Sequence, residues 1–336
     1  MALLSFEWVS SIIMILLSLV IVLSLEFHFK IGNDFRGARD FGWFKSFQNK
    51  LTDTFSGQDF FEGWIGILLI LLLPPLLLAG FISLFDGVFY WLVYLLISVF
   101  ILFLTFGPES LEKSLEPYFN AVENDDVQGA FLHSQEIASF DTESSNPDIN
   151  EDSDDNAADD NASGEKNSDE KVAESVDINL PETDELVRNT TRTILIESQV
   201  RYFGVIVWFI FFGPYGALFY RLAHIYSGQC KKNEFDEHEP LIAKVIHWIN
   251  WVPARITALL FLLTGDFVNG FYRVKDYMTD ALSDNWQLIA ETGIAAQSLD
   301  RGISERNVDE NAETVELVNR TAIIYLVFAA LMATLL

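Results

Sequence analysis

Side chains that can bind an anion recur around two proline-interrupted apolar segments of this 336-residue chain. Glu197 and Arg201 are four residues apart and therefore share one face of a helix, and Arg221 and His224, three apart, do the same. Guanidinium groups suit a phosphate, a carboxylate or a lipid headgroup. The sequence therefore predicts one polar pocket that binds an anionic ligand. Its predicted residues are Glu197, Arg201, Tyr220, Arg221, His224, Asn250 and Arg255.

A purely structural interpretation is equally open, in which Arg221 and Arg255 extend toward lipid headgroups and His224 packs against its neighbours. No catalytic pattern is visible, because the chain has neither a phosphate-binding GxxxxGKS/T loop nor a nucleophile elbow. The five histidines lack the spacing of zinc ligands. The sequence therefore predicts no catalytic residue and no metal site.

Long uncharged apolar runs determine the class of the protein. Residues 9–25, 64–84 and 88–106 contain no Asp, Glu, Lys or Arg, and a helix needs about 20 apolar residues to cross a bilayer. These runs predict three spans, and the shorter uncharged run 321–336 predicts a last one. The predicted fold class is all-α: a polytopic membrane helical bundle with a broken re-entrant hairpin and cytoplasmic helices.

The broken hairpin is predicted from Gly213 and Pro214 inside the apolar segment 202–226, and from the placement of basic residues. Proline ends or kinks a helix, and irregular backbone at membrane depth needs protein or water around it. Nine of the 21 Lys and Arg residues lie in 227–320, and eleven lie in 26–63 and 107–201. Lys and Arg near spans tend to stay cytoplasmic, so a segment that enters and returns keeps every basic loop on one side. A kinked span that crosses once is the alternative.

The predicted topology is that of a multi-pass membrane protein with its amino terminus on the outer side of the membrane. The predicted regions are three spans with one cytoplasmic loop in 1–106, cytoplasmic helices in 107–201 with a disordered insertion at about 140–183, a broken membrane core in 202–267, cytoplasmic helices in 268–320 and a last span in 321–336.

Apolar periodicity predicts the helices on the cytoplasmic side. Two amphipathic helices are expected in 108–139, divided near 124–126, and one helix over 184–210 is expected to enter the membrane. Residues 256–264, after Pro253, are too few to cross a bilayer by themselves. The segment 247–267 is therefore expected to lie against the membrane or beneath the hairpin.

Residues 136–185 form an acidic tract with 18 Asp or Glu against two Lys. Charge repulsion and the lack of apolar anchors predict a disordered cytoplasmic insertion that can bind a partner. An EF-hand loop aligned on Asp148 is excluded, because no glycine lies between that residue and Asp159. The excess of acidic residues also argues against a nucleic-acid partner.

Two blocks, GPYGALFYR at 213–221 and WVPAR at 251–255, resemble the AmpE family of bacterial inner-membrane proteins, which belongs to the CobD/CbiB superfamily. LEFHFKIG at 25–32 is similar to an early loop of that family. The resemblance runs from about residue 1 to 300, without the acidic tract. It implies a regulatory signalling modulator in the lipid bilayer of the bacterial inner membrane, linked to β-lactamase induction and cell-wall recycling, and the predicted topology then makes the amino terminus periplasmic. We expect this regulator to be non-catalytic or weakly catalytic. It also implies a cytoplasmic protein of the amidase pathway as a partner, whereas the anionic small ligand is expected from the predicted pocket.

The CbiB branch of the superfamily implies a different function, an amide-forming enzyme of cobalamin biosynthesis. It resembles an adenosylcobinamide-phosphate synthase, which would need a Mg-nucleotide or an activated carboxyl substrate. The sequence departs from that branch where His224 and Ile225 replace an Asn-Thr pair, and where Ser198 follows Glu197 in place of asparagine. These departures favour the regulatory function. A transporter is less favoured still, because no internal repeat is visible.

Overall fold

The computed structural model describes residues 2–28, 36–55, 58, 61, 63–85, 88–107, 110–137, 183–232, 238–280, 282–297 and 309–335. Regular structure in these ranges is helical, which confirms the all-α fold class. The helices are α1 (Ala2–Leu23), α2 (Arg36–Arg39), α3 (Gly42–Phe55), α4 (Trp64–Ile82), α5 (Val88–Thr105), α6 (Leu111–Glu123), α7 (Val127–Ile137), α8 (Thr183–Ser198), α9 (Gly204–Lys231), α10 (Glu239–Thr264), α11 (Phe267–Thr279), α12 (Asn285–Ala296) and α13 (Asp309–Leu335). Two π-helical turns, Ser24–His28 and Gln199–Phe203, continue α1 and α8. The predicted disordered insertion lies outside the described residues.

Four helical stretches are long and apolar enough to cross a membrane: Trp64–Ile82, Asp184–Lys231, Glu239–Thr264 and Asn311–Leu331. Two shorter apolar helices, Ile12–Glu26 and Phe89–Thr105, accompany them. These helices make the chain a multi-pass membrane protein. The last apolar helix begins earlier than the uncharged run 321–336 indicates, because α13 starts at Asp309.

Gly213 reverses the direction of the chain between two helical limbs of α9. Its backbone has φ 62° and ψ −150°, a region that is essentially confined to glycine. A Cβ atom on Gly216 would clash with the carbonyl oxygen of Trp208, and one on Gly204 would clash with the hydroxyl of Tyr220. In a straight helix these pairs would be about 12 and 24 Å apart. The limbs therefore pack side by side: the broken hairpin is confirmed, and the single kinked span is wrong.

Both ends of the hairpin lie at one end of the bundle. At its tip, the Tyr94 hydroxyl contacts Gly213, and Tyr94 is about 16 Å from the end of α5. At its base, Tyr226 hydrogen bonds to Nδ1 of His238, and Nε2 of His238 donates to the carbonyl of Phe61 at 2.8 Å. Phe61 lies just before α4. The second limb therefore returns to the end where α4 begins and α5 finishes, which we call the capped end.

The contacts at both ends of α10 lie at the capped end. His238, the residue before its first turn, binds Phe61. Thr264, its last residue, shares a hydrogen bond of 3.2 Å with Thr321. The residues of α13 just before Thr321 line a small cavity together with Glu26. Glu26 lies at the end of the first apolar helix, so Thr321 is close to that end as well. Although α10 has 26 residues, both of its ends are therefore at the capped end, beside the base of the hairpin.

Pro253 lies inside the continuous helix α10, and a side chain from the hairpin replaces the donor that proline lacks. The carbonyl of Ile249, four residues before Pro253, has no helical N–H to accept from. The indole N–H of Trp208 on the first limb donates to this carbonyl at 2.9 Å. One hydrogen bond thus satisfies this carbonyl and fastens α10 to the hairpin.

The remaining helices cover the capped end. α6 and α7 are divided at 124–126, as the apolar periodicity predicts. Tyr118 of α6 accepts a hydrogen bond of 2.7 Å from Asn311 of α13, and Asn311 accepts one of 2.7 Å from Thr191 of α8. Burial raises the pKa of the Tyr118 hydroxyl, which therefore stays neutral. α12 packs on α8 where Gly293 contacts Leu195.

Trp208→Phe removes the indole N–H and leaves the Ile249 carbonyl without its donor. We expect the free energy of unfolding of the detergent-solubilised protein to fall by about 1–3 kcal/mol, the cost of an unsatisfied buried carbonyl. Pro253→Ala restores a backbone N–H to this carbonyl, so Trp208→Phe should cost clearly less in that background. Denaturant unfolding of the four proteins measures the coupling. Equal costs in both backgrounds would contradict this role of Trp208.

Candidate functional site

Arg201 lies in the π-helical turn at the start of the hairpin and joins it to two other helices. Its Nε donates to Oε2 of Glu197 at 2.7 Å, as the four-residue spacing predicts. Its Nη1 donates to Oγ of Ser114 on α6 at 3.0 Å, and its Nη2 donates to the carbonyl of Ile137 on α7 at 3.3 Å. Glu197 is 0% exposed. Removing one partner of this pair would leave a buried charge uncompensated.

A second buried ion pair, which the sequence did not indicate, joins Glu26 to Arg39. The Nη1 and Nη2 of Arg39 donate to the two carboxylate oxygens at 3.2 and 2.7 Å, and the Arg39 side chain is 0% exposed. Its guanidinium lies 4.2 Å from the centre of the Phe103 ring. The only available signal was Glu26 itself, which directly follows an uncharged span. Its partner is 13 residues away, and this separation does not identify it.

Gly107, just after α5, lies between the two ion pairs. Its carbonyl accepts from Nη1 of Arg39 at 3.2 Å, and a Cβ atom on Gly107 would lie only 2.8 Å from Cγ of Arg201. Nearby, a cavity of about 20 Å³ is lined in part by Glu26 and Tyr202, which is room for about one water molecule. The Tyr202 hydroxyl accepts from the first N–H of α6 at 3.0 Å. The ends of α1, α5 and α8 therefore meet at this glycine.

Tyr220, His224 and Asn250 form a buried triad between the hairpin and α10. The Tyr220 hydroxyl donates to Oδ1 of Asn250 at 2.7 Å. Nδ2 of Asn250 donates to the carbonyl of Ile246 at 2.9 Å and lies 3.1 Å from Nε2 of His224. The Tyr220 and His224 ring centres are 4.5 Å apart. The triad fastens the second limb to α10, as Trp208 fastens the first.

The bonding of Asn250 determines which tautomer of His224 fits. A carbonyl can only accept, so the Asn250 atom that faces the Ile246 carbonyl is the amide nitrogen. The same nitrogen faces Nε2 of His224, which must then act as the acceptor. This assignment follows from the network of bonds. It requires a neutral imidazole with its proton on Nδ1, because a proton on Nε2 would place two donors opposite each other.

Arg255 binds carbonyl groups at the junction of α11 and α12. Its Nη2 donates to the carbonyl of Asp280 at 2.7 Å, and its Nη1 donates to Oδ1 of Asn285 at 2.9 Å. The guanidinium also lies 4.2 Å from the centre of the Trp251 ring. Asp280 directly follows α11, and the last carbonyls of a helix lack helical donors. Arg255 therefore supplies a donor at the carboxyl end of α11.

The structure distributes the predicted pocket residues among separate sets of contacts. Tyr220, His224 and Asn250 are together. Arg255 binds Asn285, whose Nδ2 donates to the carbonyl of His247 on α10 at 2.8 Å. Arg221 is half-buried on the second limb, directly after Tyr220. Glu197 and Arg201 bind each other, and the other bonds of Arg201 described above lead to α6 and α7.

A larger open cavity of about 570 Å³ lies between α6 and α13. Its two carboxylates against one lysine make it acidic, which is unfavourable for an anion. It is lined by Ser110, Glu112, Lys113, Glu116, Phe119, Asn120, Ala312 and Val315. In the part of the chain that the structure describes, no three His, Cys, Asp or Glu side chains are grouped as a metal site requires.

The family model of "Regulatory signalling modulator protein AmpE" matches residues 152–335. This is more than half of the 336-residue chain, so the protein belongs to the AmpE family. The match contains the hairpin, α10 and every residue of the predicted pocket. It begins inside the acidic tract and leaves out residues 1–151, including the Glu26–Arg39 pair, whereas the resemblance in the sequence was expected to begin near residue 1 and to end near 300.

Among curated proteins, the cobalamin biosynthesis protein CobD of Chromobacterium violaceum is 34% identical to the chain over 94 residues. The alignment covers 27% of this chain and 30% of the relative, so the chain spans less than a third of the relative's length. It supports the link to the CobD/CbiB superfamily. No solved structure matches the chain.

Glu197→Gln removes the carboxylate charge and leaves Arg201 as a buried, uncompensated cation. We expect the free energy of unfolding in detergent to fall by about 3–5 kcal/mol. Adding Arg201→Gln removes the remaining charge and should recover part of this loss. Denaturant unfolding of the single and double variants measures both effects, and a simple sum of the two single losses would contradict the buried pair.

Arg188→Gln is the matched control for this cycle. Arg188 lies on the same helix, but its side chain is 51% exposed and its closest distance to Glu291 is 4.0 Å. Because exposed pairs contribute little, its substitution should change the free energy of unfolding by less than about 1 kcal/mol.

Proposed function

We propose that this member of the AmpE family is a regulatory signalling protein of the bacterial inner membrane, linked to β-lactamase induction and cell-wall recycling. The capped end faces the cytoplasm in this proposal, because the positive-inside tendency places loops rich in Lys and Arg there, and the amino terminus is then periplasmic. The membrane hairpin and the helices at the capped end act as one unit, so that a change in one alters the other.

The observation that carries this proposal is the set of hydrogen bonds made by Arg201. One guanidinium holds the start of the hairpin through Glu197, α6 through Ser114 and α7 through Ile137. The stem of the same side chain packs against Gly107 at the end of α5. A displacement of the hairpin must therefore either carry α6 and α7 with it or break these bonds. A switching element has two discrete arrangements, and here they are the one with the Arg201 bonds intact and the one with these bonds broken.

Pairing within the site favours regulation over catalysis. Tyr220, His224 and Asn250 bond to one another, and Arg255 bonds to carbonyl groups of α10 and of the α11–α12 junction. An anionic ligand would therefore act by competing with Glu197 for Arg201, or by binding at the half-buried Arg221. A cytoplasmic protein of the amidase pathway would receive the signal through α6 and α7.

The induction ratio of β-lactamase in a complemented deletion strain tests the proposal. In a host with an inducible chromosomal β-lactamase, Arg201→Gln should move the ratio about fivefold or more toward that of the deletion strain, the lower range of typical allosteric coupling. Ser114→Ala removes one acceptor only and should have a smaller effect in the same direction.

Arg188→Gln should retain the wild-type induction ratio, because this exposed arginine lies on α8 without joining it to α6 or α7 in the bonds described above. Immunoblots of the membrane fraction check that each variant is as abundant as the wild type. Wild-type induction by both Arg201→Gln and Ser114→Ala at wild-type abundance would contradict the coupling role.

The second candidate function is an amide-forming enzyme of cobalamin biosynthesis, and the match to CobD favours it. It would use a Mg-nucleotide or an activated carboxyl substrate. It ranks second because the sequence departs from the CbiB pattern at Ser198 and His224. Both side chains are buried, Ser198 at the entrance to the hairpin and His224 within it. His224 is also engaged with Asn250.

Expression in a cobalamin-synthesis mutant that lacks the synthase separates the two candidates. We expect no growth without added cobalamin, because a regulator does not supply the missing amide bond. A plasmid with a genuine synthase gene is the positive control, and an immunoblot confirms that the AmpE-family protein is in the membrane. Growth with the wild-type chain would favour the enzyme.

A further inference from the structure

An apolar stripe remains exposed along α10. Val252, Leu259 and Leu263 are 37%, 40% and 61% exposed, and their spacing places them on one face of the helix. The opposite face carries Asn250, which binds Tyr220 of the hairpin. One side of α10 is therefore committed to the bundle, while the other presents hydrocarbon to its surroundings.

α11 extends this exposed apolar stripe. Val268 and Tyr272 are 65% and 71% exposed, and Phe271 is 39% exposed. The inner side of the helix is tightly packed, because a Cβ atom on Gly270 would clash with Leu262 of α10. The exposed apolar residues of α11 begin at Phe267, four residues after Leu263, and Gly270 packs on Leu262, so the exposed stripes of the two helices lie close together. Soluble proteins rarely expose contiguous apolar surface of this kind without a partner.

We propose that this surface, made of Val252, Leu259, Leu263, Val268, Phe271 and Tyr272 and called the α10–α11 surface below, binds the phospholipid leaflet at the capped end. α11 then lies in the plane of the membrane interface, with its aromatic side chains among the headgroups and upper acyl chains. The sequence predicts cytoplasmic helices in residues 268–320. In contrast, α11 here lies at the lipid surface.

Three features favour a lipid leaflet over a second copy of the chain. Both ends of α10 lie at the capped end of the apolar bundle, which is where the surface of a bilayer around the apolar helices would lie. Trp248 is 58% exposed beside it, and Trp and Tyr concentrate at membrane interfaces. Lys275 Nζ lies 5.9 Å from the centre of the Tyr272 ring, and interfacial amphipathic helices carry basic residues on one face and large apolar residues on the other.

This contact would connect the leaflet to the buried polar groups of the protein. The carboxyl end of α11 is held by Arg255 through the carbonyl of Asp280. α11 also packs beside α12, and Gly293 of α12 contacts Leu195 of α8, near the Glu197–Arg201 pair. A change in lipid packing at α11 therefore reaches the helix that leads into the hairpin.

Quenching by brominated lipids tests the proposal in the full chain. Cys230, which is buried and unique, is first replaced by serine, and a fluorophore is attached to Val268→Cys. In phosphatidylcholine vesicles with brominated acyl chains, we expect its emission to fall about twofold or more, because interfacial helices sink about 5–10 Å into the headgroup boundary. Aqueous iodide should quench this probe only weakly.

Two further positions calibrate the measurement. A probe at Leu96→Cys, on an exposed face of α5, should be quenched strongly by brominated lipid. A probe at Asn124→Cys, in the exposed turn between α6 and α7, should respond to iodide and not to lipid. If Val268→Cys fails to fold, Tyr272→Cys takes its place.

The proposal is overturned if the α11 probe behaves like the Asn124 probe. It is also overturned if the probe is shielded from both quenchers and the variant forms a disulfide-linked dimer on mild oxidation, since a second copy of the chain would then cover the surface.

Discussion

The reversal of the chain at Gly213 is the constraint on which the other contacts depend. It needs a residue that tolerates φ 62° and ψ −150°, followed by Pro214, which cannot continue the helical hydrogen bonding of the first limb. Once the chain turns back, Trp208 and Tyr220 face the same part of α10 and bind two consecutive residues, at Ile249 and Asn250. A segment that crossed the bundle once would separate Trp208 from Tyr220 by about 18 Å, because each helical residue adds about 1.5 Å.

Buried polar groups around the hairpin are satisfied by partners that are distant in the sequence. Pro253 leaves a carbonyl without a donor, and Trp208 supplies one. Arg39 binds both Glu26 and the carbonyl of Gly107. Such groups are costly to bury unpaired at the edge of a membrane. The same requirement explains why arginine, asparagine and histidine recur beside these apolar segments, whether or not a ligand also binds there.

Local signals in the sequence were sufficient for much of the fold. Uncharged runs indicate the apolar helices, periodicity indicates the division of α6 from α7 at 124–126, and Gly213 with the basic loops indicates the hairpin. The predicted last span begins later than α13 does, because Glu313, Glu316 and Arg320 lie in the first half of this helix, ahead of the uncharged run.

The long-range contacts could not be predicted. The bond from Trp208 to Ile249 joins residues 41 positions apart, and the Glu26–Arg39 pair joins residues 13 positions apart on different helices. Of the predicted pocket, spacing along one helix correctly paired Glu197 with Arg201. It could not show that Arg201 also reaches Ser114, or that Arg255 holds the end of α11.

Site-directed labelling of spheroplasts tests the central claim, that the chain turns back and returns to the capped end. In a Cys230→Ser background, single cysteines replace the exposed Leu84 at the far end of α4, Lys113 on α6 and Lys232 after the second limb. The account predicts that a membrane-impermeant maleimide labels Leu84→Cys in intact spheroplasts, and labels Lys113→Cys and Lys232→Cys only after the membrane is opened. Labelling of Lys232→Cys in intact spheroplasts, with Lys113→Cys still protected, would contradict it.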